Sequence, residues 1–150
     1  MEVPEGHAGV ITRMGRFHAT VGPGPVSLLP VADKLLTVDL RPRVILVGPL
    51  DVSSLDNRPF RLNGKVFFQV FEPRLALLTV DTRDYLRTLV ELWSMVARRT
   101  TTHGTGDELV AQLPAVSAAV GQAMNPITEQ FGVRVSRVEL EVEPAPEPNP

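Results

Sequence analysis

The spacing of hydrophobic and polar positions changes about midway along the chain. Over residues 7–71 apolar side chains recur mainly at every second position, as in strands; from residue 85 they recur at three and four, as in helices; a final alternating run covers 133–142. This order predicts an α+β domain, with short antiparallel strands first, two or three helices next, and one long closing strand.

Within the first half, Val10 and Thr12 alternate with Ile11 and Arg13, and Gly15 can take the positive φ of a sharp reversal. Gly22-Pro23-Gly24-Pro25 predicts a turn, because proline fixes φ while glycine reaches conformations closed to other residues. Lys34 to Arg41 sets Leu36, Val38 and Leu40 on one face, with Asp39 and Arg41 opposite. After Pro42 comes an apolar run from Arg43 to Val47, which Gly48-Pro49 is expected to end. Ser54 to Pro59 reads as a turn. Gly64 to Phe71 carries Val66, Phe68 and Val70 on one face and Phe67, Gln69 and Phe71 on the other, which predicts a central strand covered on both sides.

In the second half, Thr82 is the expected N-cap of a helix whose apolar positions begin at Tyr85 and include Leu86, Leu89, Leu92, Trp93 and Val96. Trp93 is expected in the core. A shorter helix begins near Thr105 or Asp107, with Asp107 and Glu108 favoured in its first turn by the helix dipole. Leu113-Pro114 opens a third, with a core stripe of Val116, Val120, Met124, Ile127 and Phe131, a kink or break at Asn125-Pro126, and a stop at Gly132. In the last strand Val133 and Val135 are odd-numbered while Val138, Leu140 and Val142 are even, so a bulge near Ser136-Arg137 is needed to keep one apolar face. The domain is assigned to residues 1–142, and residues 143–150 to an extended Pro/Glu-rich tail that packs against nothing.

Composition narrows the function. The net charge of −2 falls largely on the last strand and tail: without Glu139, Glu141, Glu143 and Glu147 the balance is 15 basic to 13 acidic, which does not suggest a nucleic-acid binder. The absence of cysteine excludes disulfides, cysteine-ligated metal centres and thiol catalysis. No window offers the roughly 20 apolar residues of a membrane-spanning helix, and Glu2 and Glu5 stand where a signal sequence would be basic. A soluble chain in the cytoplasm is the expectation.

Catalytic and cofactor motifs are missing. His7, His18 and His103 lack the spacing of a metal site, and no G-x-S-x-G, G-x-x-x-x-G-K-[ST] or G-x-G-x-x-G occurs. Asp107 and Glu108, adjacent on a helix, diverge by about 100° and cannot act as a facing acid/base pair. Arg98-Arg99 can serve the helix dipole or an anionic group. No metal, cofactor or small-molecule substrate is expected.

A set of ordered motifs resembles the SPFH/Band-7 domain family of stomatins, prohibitins and flotillins. Val3-Pro4-Glu5-Gly6 through Arg16 is similar to the family opening V-P-E-G-x-x-G-V-x-x-R-x-G-R; Pro23 to Pro30 resembles P-G-L-x-x-x-x-P; and Val38-Asp39-Leu40-Arg41 matches V-D-L-R. The turn at Ser53 to Pro59, the pattern Val66 to Pro73, the helix to Arg98, Asp107 to Leu109, and Phe131-Gly132-Val133, where W-G-I or W-G-V is common, continue the likeness over residues 3–142. The resemblance implies a curved antiparallel sheet packed by helices. It also implies a non-catalytic scaffold that assembles with itself on membranes and regulates a membrane protease, channel or transporter. Such members usually add a membrane hairpin before this domain and a coiled coil after it, so this chain is expected to be a minimal member.

Two roles follow as expectations. One is a scaffold or adaptor peripheral to the inner face of the membrane, touching lipid or a partner through Val26, Leu28, Leu29 and Val31; the segment Gly6 to Pro49 around them carries five basic and two acidic residues. The alternative reading of these four is that they simply enter the core. The other is a soluble protein-binding module acting through an exposed sheet edge or the strand Val133 to Val142.

Overall fold

The computed structural model describes residues 1–78 and 84–145. Its strands are β1 (Glu2–Val3), β2 (His7–Arg13), β3 (Arg16–Val21), β4 (Gly24–Pro25), β5 (Asp33–Asp39), β6 (Arg43–Ser53), β7 (Pro59–Val70) and β8 (Val133–Pro144). The helices are α1 (Pro73–Leu78), α2 (Tyr85–Thr101), α3 (Gly106–Ala111) and α4 (Leu113–Thr128), with a 3-10 turn over Glu129–Phe131. The α+β class and its order of elements are those the periodicity predicts.

All pairing is antiparallel, and the strands divide among three sheets ordered β1-β4, β3-β2-β5 and β6-β7-β8. The hairpin joining β2 and β3 turns at Met14 and Gly15, with φ of 53° and 81°, as Gly15 foretold. The expected turn over Gly22 to Pro25 reduces to a bend at Pro23, because Gly24 and Pro25 themselves form the two-residue β4.

β7 is central, between β6 and β8, but it is covered on one face only. Its residues alternate, with Phe60, Leu62, Val66, Phe68 and Val70 buried while Lys65 and Gln69 are exposed. The strand buried on both sides is β2, where five consecutive residues are buried. Gly9 permits this: a Cβ there would stand 2.8–2.9 Å from Leu35, Val21 and Val3. A further departure is β6, which passes through Gly48-Pro49 and resumes its pairing at Leu50. The two residues form a bulge, so Pro49 is not asked for a ladder hydrogen bond.

The bulge expected in β8 is present: Phe67 pairs with Arg137 and Phe68 with Val135, leaving Ser136 as the extra residue. Val133, Val135, Val138 and Leu140 consequently all reach the core. The strand continues two residues past its expected end, with Glu143 and Pro144 paired to Arg61 and Phe60.

Helix α2 supplies Leu89, Trp93 and Ala97 to the core, all fully buried. Thr82 lies outside the described residues, and Asp84 caps the helix by accepting from the Arg87 amide at 3.1 Å. A complete capping box opens α3, in which Thr105 accepts from Glu108 N–H and Glu108 from Thr105 N–H, each at 3.3 Å. Helix α4 runs unbroken through Pro126 to Thr128. Ile127 is 43% exposed, whereas Thr128 continues the step of four from Met124 into the core and donates its hydroxyl to the Asn125 carbonyl. The 3-10 turn brings Phe131 back inside, and Gly132 ends it at φ 79°.

Helix α4 also lies along the outer edge of β8. Leu140 N–H donates to Ser117 Oγ at 3.2 Å, Val135 N–H donates to Asn125 Oδ1 at 3.1 Å, and Gly121, between them, faces the Val138 backbone. Two outward amides of this edge therefore find their hydrogen-bond partners inside the chain.

Candidate functional site

Three short stretches meet at one end of the β3-β2-β5 sheet, the β2–β3 turn, the segment Val26–Ala32 and the start of β5, and the segment's first residue is tied to the N-terminus. Met14 N–H donates to Ala32 O at 2.8 Å, and Val26 N–H donates to Met1 O at 2.8 Å. The turn and the loop are thereby tied into one tip.

Asp33 organises that tip. Its carboxylate accepts two hydrogen bonds from Arg13, at 2.8 and 3.1 Å, and one from Leu29 N–H at 2.9 Å, while its own N–H donates to Leu29 O at 3.0 Å. The side chain is almost wholly buried. The Arg13 hydrogen bonds, followed by that from Leu29, lower its pKa from 3.8 to about 2. A bidentate, charge-assisted pair of this kind fixes direction as well as energy.

Within the clasp, Ala32 N–H donates to Pro30 O at 2.8 Å and Val31 takes φ 69°. This is a γ-turn centred on positive φ, an uncommon and strained geometry. For a β-branched residue such a φ costs about 1–3 kcal/mol and persists only where its surroundings impose it. The result is that Val31 projects fully into solvent.

The four residues singled out in the sequence separate into two groups. Leu29 is 51% exposed and Val31 entirely so, whereas Val26 and Leu28 are half-buried. Sequence reasoning missed Met14, which is 84% exposed beside Ala32, and Met1, 80% exposed beside Val26. The signal for Met14 was available, since a residue preceding glycine in a two-residue hairpin turn sits at the tip. Arg16 is exposed next to this apolar group, and Arg13, engaged by Asp33, is partly so. The arrangement places exposed apolar side chains beside cations.

The other polar residues considered do not join this tip. His7 begins β2 and its Nδ1 lies 3.0 Å from Glu5 O; His18 is in β3; His103 follows α2. Asp107 pairs with Arg58 at 2.8 Å, and Glu108 serves the capping box. Asp56, beside the Ser54 hydroxyl and Gly106 N–H, has its pKa lowered by them and fastens the β6–β7 turn to the start of α3. Among the described residues, no helix is long and apolar enough to cross a membrane.

Comparison with known proteins gives a consistent picture. The model of the SPFH domain / Band 7 family matches residues 1–147. A stomatin homolog of Pyrococcus horikoshii, PH1511, is 28% identical over 138 residues, covering 92% of this chain and 51% of its own length. An uncharacterized protein of Mycobacterium tuberculosis, Rv1488, is 30% identical over 146 residues, covering 96% of this chain and 38% of its own. The mitochondrial stomatin-like protein 2 of Bos taurus is 29% identical over 139 residues, covering 92% and 38%. The chain thus spans about half, or less, of the length of these relatives. With the family model matched from end to end of the described fold, this chain belongs to the SPFH domain / Band 7 family.

Proposed function

We propose that the chain is a non-catalytic scaffold or adaptor that associates with membranes or membrane protein complexes through the tip built on Leu29 and Val31. Family membership supports a scaffold role in general. The observation that carries the surface assignment is the positive-φ turn at Val31, clasped by Asp33, which holds an apolar side chain in water.

Magnitudes shape the mode of attachment. Complete burial of a Val or Leu side chain is worth about 1.5–3 kcal/mol each, so a few partly exposed residues give only weak, reversible attachment per chain. Useful residence then requires several copies acting together or a second anchor. In this reading the chain works as a peripheral module on the inner face of the membrane, self-associating or joined to a membrane protease, channel or transporter. Half-buried Val26 and Leu28 support the tip from beneath.

Co-sedimentation with vesicles containing anionic lipid tests the proposal. The unmutated chain should pellet with them, and Leu29→Asp together with Val31→Asp should leave it in the supernatant. Leu28→Asp separates support from contact, since it should also lower stability. If the unmutated chain stays in the supernatant, the lipid assignment fails.

One observation favours a second reading, a protein-binding module acting through a sheet edge. Val44 and Leu46 of β6 are 50% and 73% exposed, on a strand that, among the described residues, pairs with another strand on one side only. Light scattering in solution helps to separate the two, a defined oligomer favouring the scaffold and a strict monomer the module.

A further inference from the structure

The ladder directions in the β6-β7-β8 sheet identify which edge is open. Leu140 N–H leaves the sheet toward Ser117, so the Gly64–Leu140 pair is not hydrogen-bonded and Gly64 directs its backbone groups toward β6 instead. Val47, Ile45 and Arg43, opposite Gly64, Val66 and Phe68, accordingly satisfy theirs with β7. The amides of Val44 and Leu46 point the other way, where no strand pairs with them among the described residues. Pro42 and Pro49 bracket this stretch and limit it to a few residues.

Side chains along the edge differ between its two faces. Val44 and Leu46 stand on the outer face beside Phe67 and Lys65. Arg43, facing inward, lies over the rings of Phe68 and Tyr85 with its guanidinium carbon 5.1 and 5.8 Å from their centroids, and its Nη2 donates to the Tyr85 hydroxyl. Its Nε is buried and has no hydrogen-bond partner among the described residues. An unmet charged donor next to an unpaired strand is an invitation to a carboxylate. A groove of about 510 Å³ begins at Pro42, Arg43 and Val44 and runs across Phe67 and Gln69 of β7 to Arg134 and Ser136 of β8, so it lies over the sheet and not along its open edge.

We propose that the edge at Val44–Leu46 takes up an extended segment of a partner protein as an added antiparallel strand. The segment has the pattern apolar-x-apolar-acidic, its apolar residues opposite Leu46 and Val44 and its carboxylate opposite Arg43. Main-chain hydrogen bonds to Val44 and Leu46 supply affinity, and alternate side chains supply selectivity. A second copy of this chain fits poorly. In the two-fold register centred on Ile45, Arg43 would meet Val47 of the other copy and find no anion. The proposal rests on the sheet-edge reading and is independent of the tip at Val31.

Fluorescence anisotropy tests it with a labelled peptide Ser-Leu-Thr-Val-Glu-Ser and the same peptide carrying Lys in place of Glu. The Glu peptide should bind saturably and at least about tenfold more tightly than the Lys peptide, as a charge-assisted hydrogen bond implies. Arg43→Gln should remove that preference. Val44→Pro should abolish binding while the fold persists, because the lost N–H faces away from β7; Leu46→Lys, which leaves the backbone intact, should weaken binding too. Circular dichroism and urea midpoints verify that each variant is folded. Absent binding, equal binding of both peptides, or a folded Val44→Pro that still binds would each overturn the proposal. So would concentration-dependent self-association that Val44→Pro removes, which would give the edge to a second copy. Vesicle co-sedimentation reads a different surface, so loss of one activity with retention of the other shows which reading has failed.

Discussion

Arg13 and Asp33 are cross-strand partners in the β2–β5 ladder, and their side chains close on each other at 2.8 and 3.1 Å directly beneath the turn that projects Val31. Asp33 is ordinarily a carboxyl of pKa 3.8 and here titrates near 2. A depressed folded-state pKa contributes stability that is present above the unfolded value and lost as pH falls through the folded one. The contribution should therefore be complete above about pH 5 and disappear between about pH 4 and pH 2. Thermal melts across this range should show Asp33→Asn with a shallower loss of stability than the unmutated chain. Asp39, whose pKa Arg41 also lowers, keeps its share of the acid slope in both proteins.

Capping of α3 sets a second prediction. Thr105 and Glu108 exchange side-chain-to-backbone hydrogen bonds in a helix of only six residues. Thr105→Ala should lower the unfolding free energy by about 1 kcal/mol, measured by urea denaturation.

Trp93 is fully buried, and its Nε1 has no hydrogen-bond partner among the described residues. Trp93→Ala should cost about 3–5 kcal/mol through the cavity it leaves. Trp93→Phe should cost much less, because no indole hydrogen bond is surrendered. Comparing both variants by chemical denaturation separates lost volume from lost polarity.

Gly132 gives the sharpest backbone prediction. It takes φ 79°, its carbonyl accepts from the N–H groups of Phe71 and Glu72, and an added Cβ would stand 2.3 Å from Glu72 O. Gly132→Ala combines an unfavourable φ with a backbone clash, so it should destabilise by more than about 2 kcal/mol. A denaturation midpoint unchanged by this substitution would contradict the geometry.

Elements with a local cause were legible in the sequence. The parity switch from Val135 to Val138 located the β8 bulge, and the first-turn carboxylates Asp107 and Glu108 located the start of α3 near Thr105. What depended on tertiary surroundings was hidden. Pro49 ordinarily ends a strand, and only the resumed pairing at Leu50 carries β6 past it. Helix α1 is too short, at six residues, to show a period. Burial of β2 on both sides depends on Gly9 meeting Val3, which no spacing reveals. At the tip, the sequence offered Val26, Leu28, Leu29 and Val31 together, without showing which of them are exposed. Leu28 and Leu29 are neighbours of equal hydropathy, and the clasp by Asp33 and the turn at Val31 decide which is exposed.

The chain contains no cysteine, so a single cysteine introduced at Val31 can carry an environment-sensitive nitrobenzoxadiazole label without competition. Its emission, read as vesicles containing anionic lipid are titrated in, tests the central claim most directly, with a label at the exposed Met95 of α2 as the reference. The account predicts a blue shift and a rise in intensity at Val31 and neither at Met95. Unchanged emission at Val31, or equal responses at both positions, would contradict it.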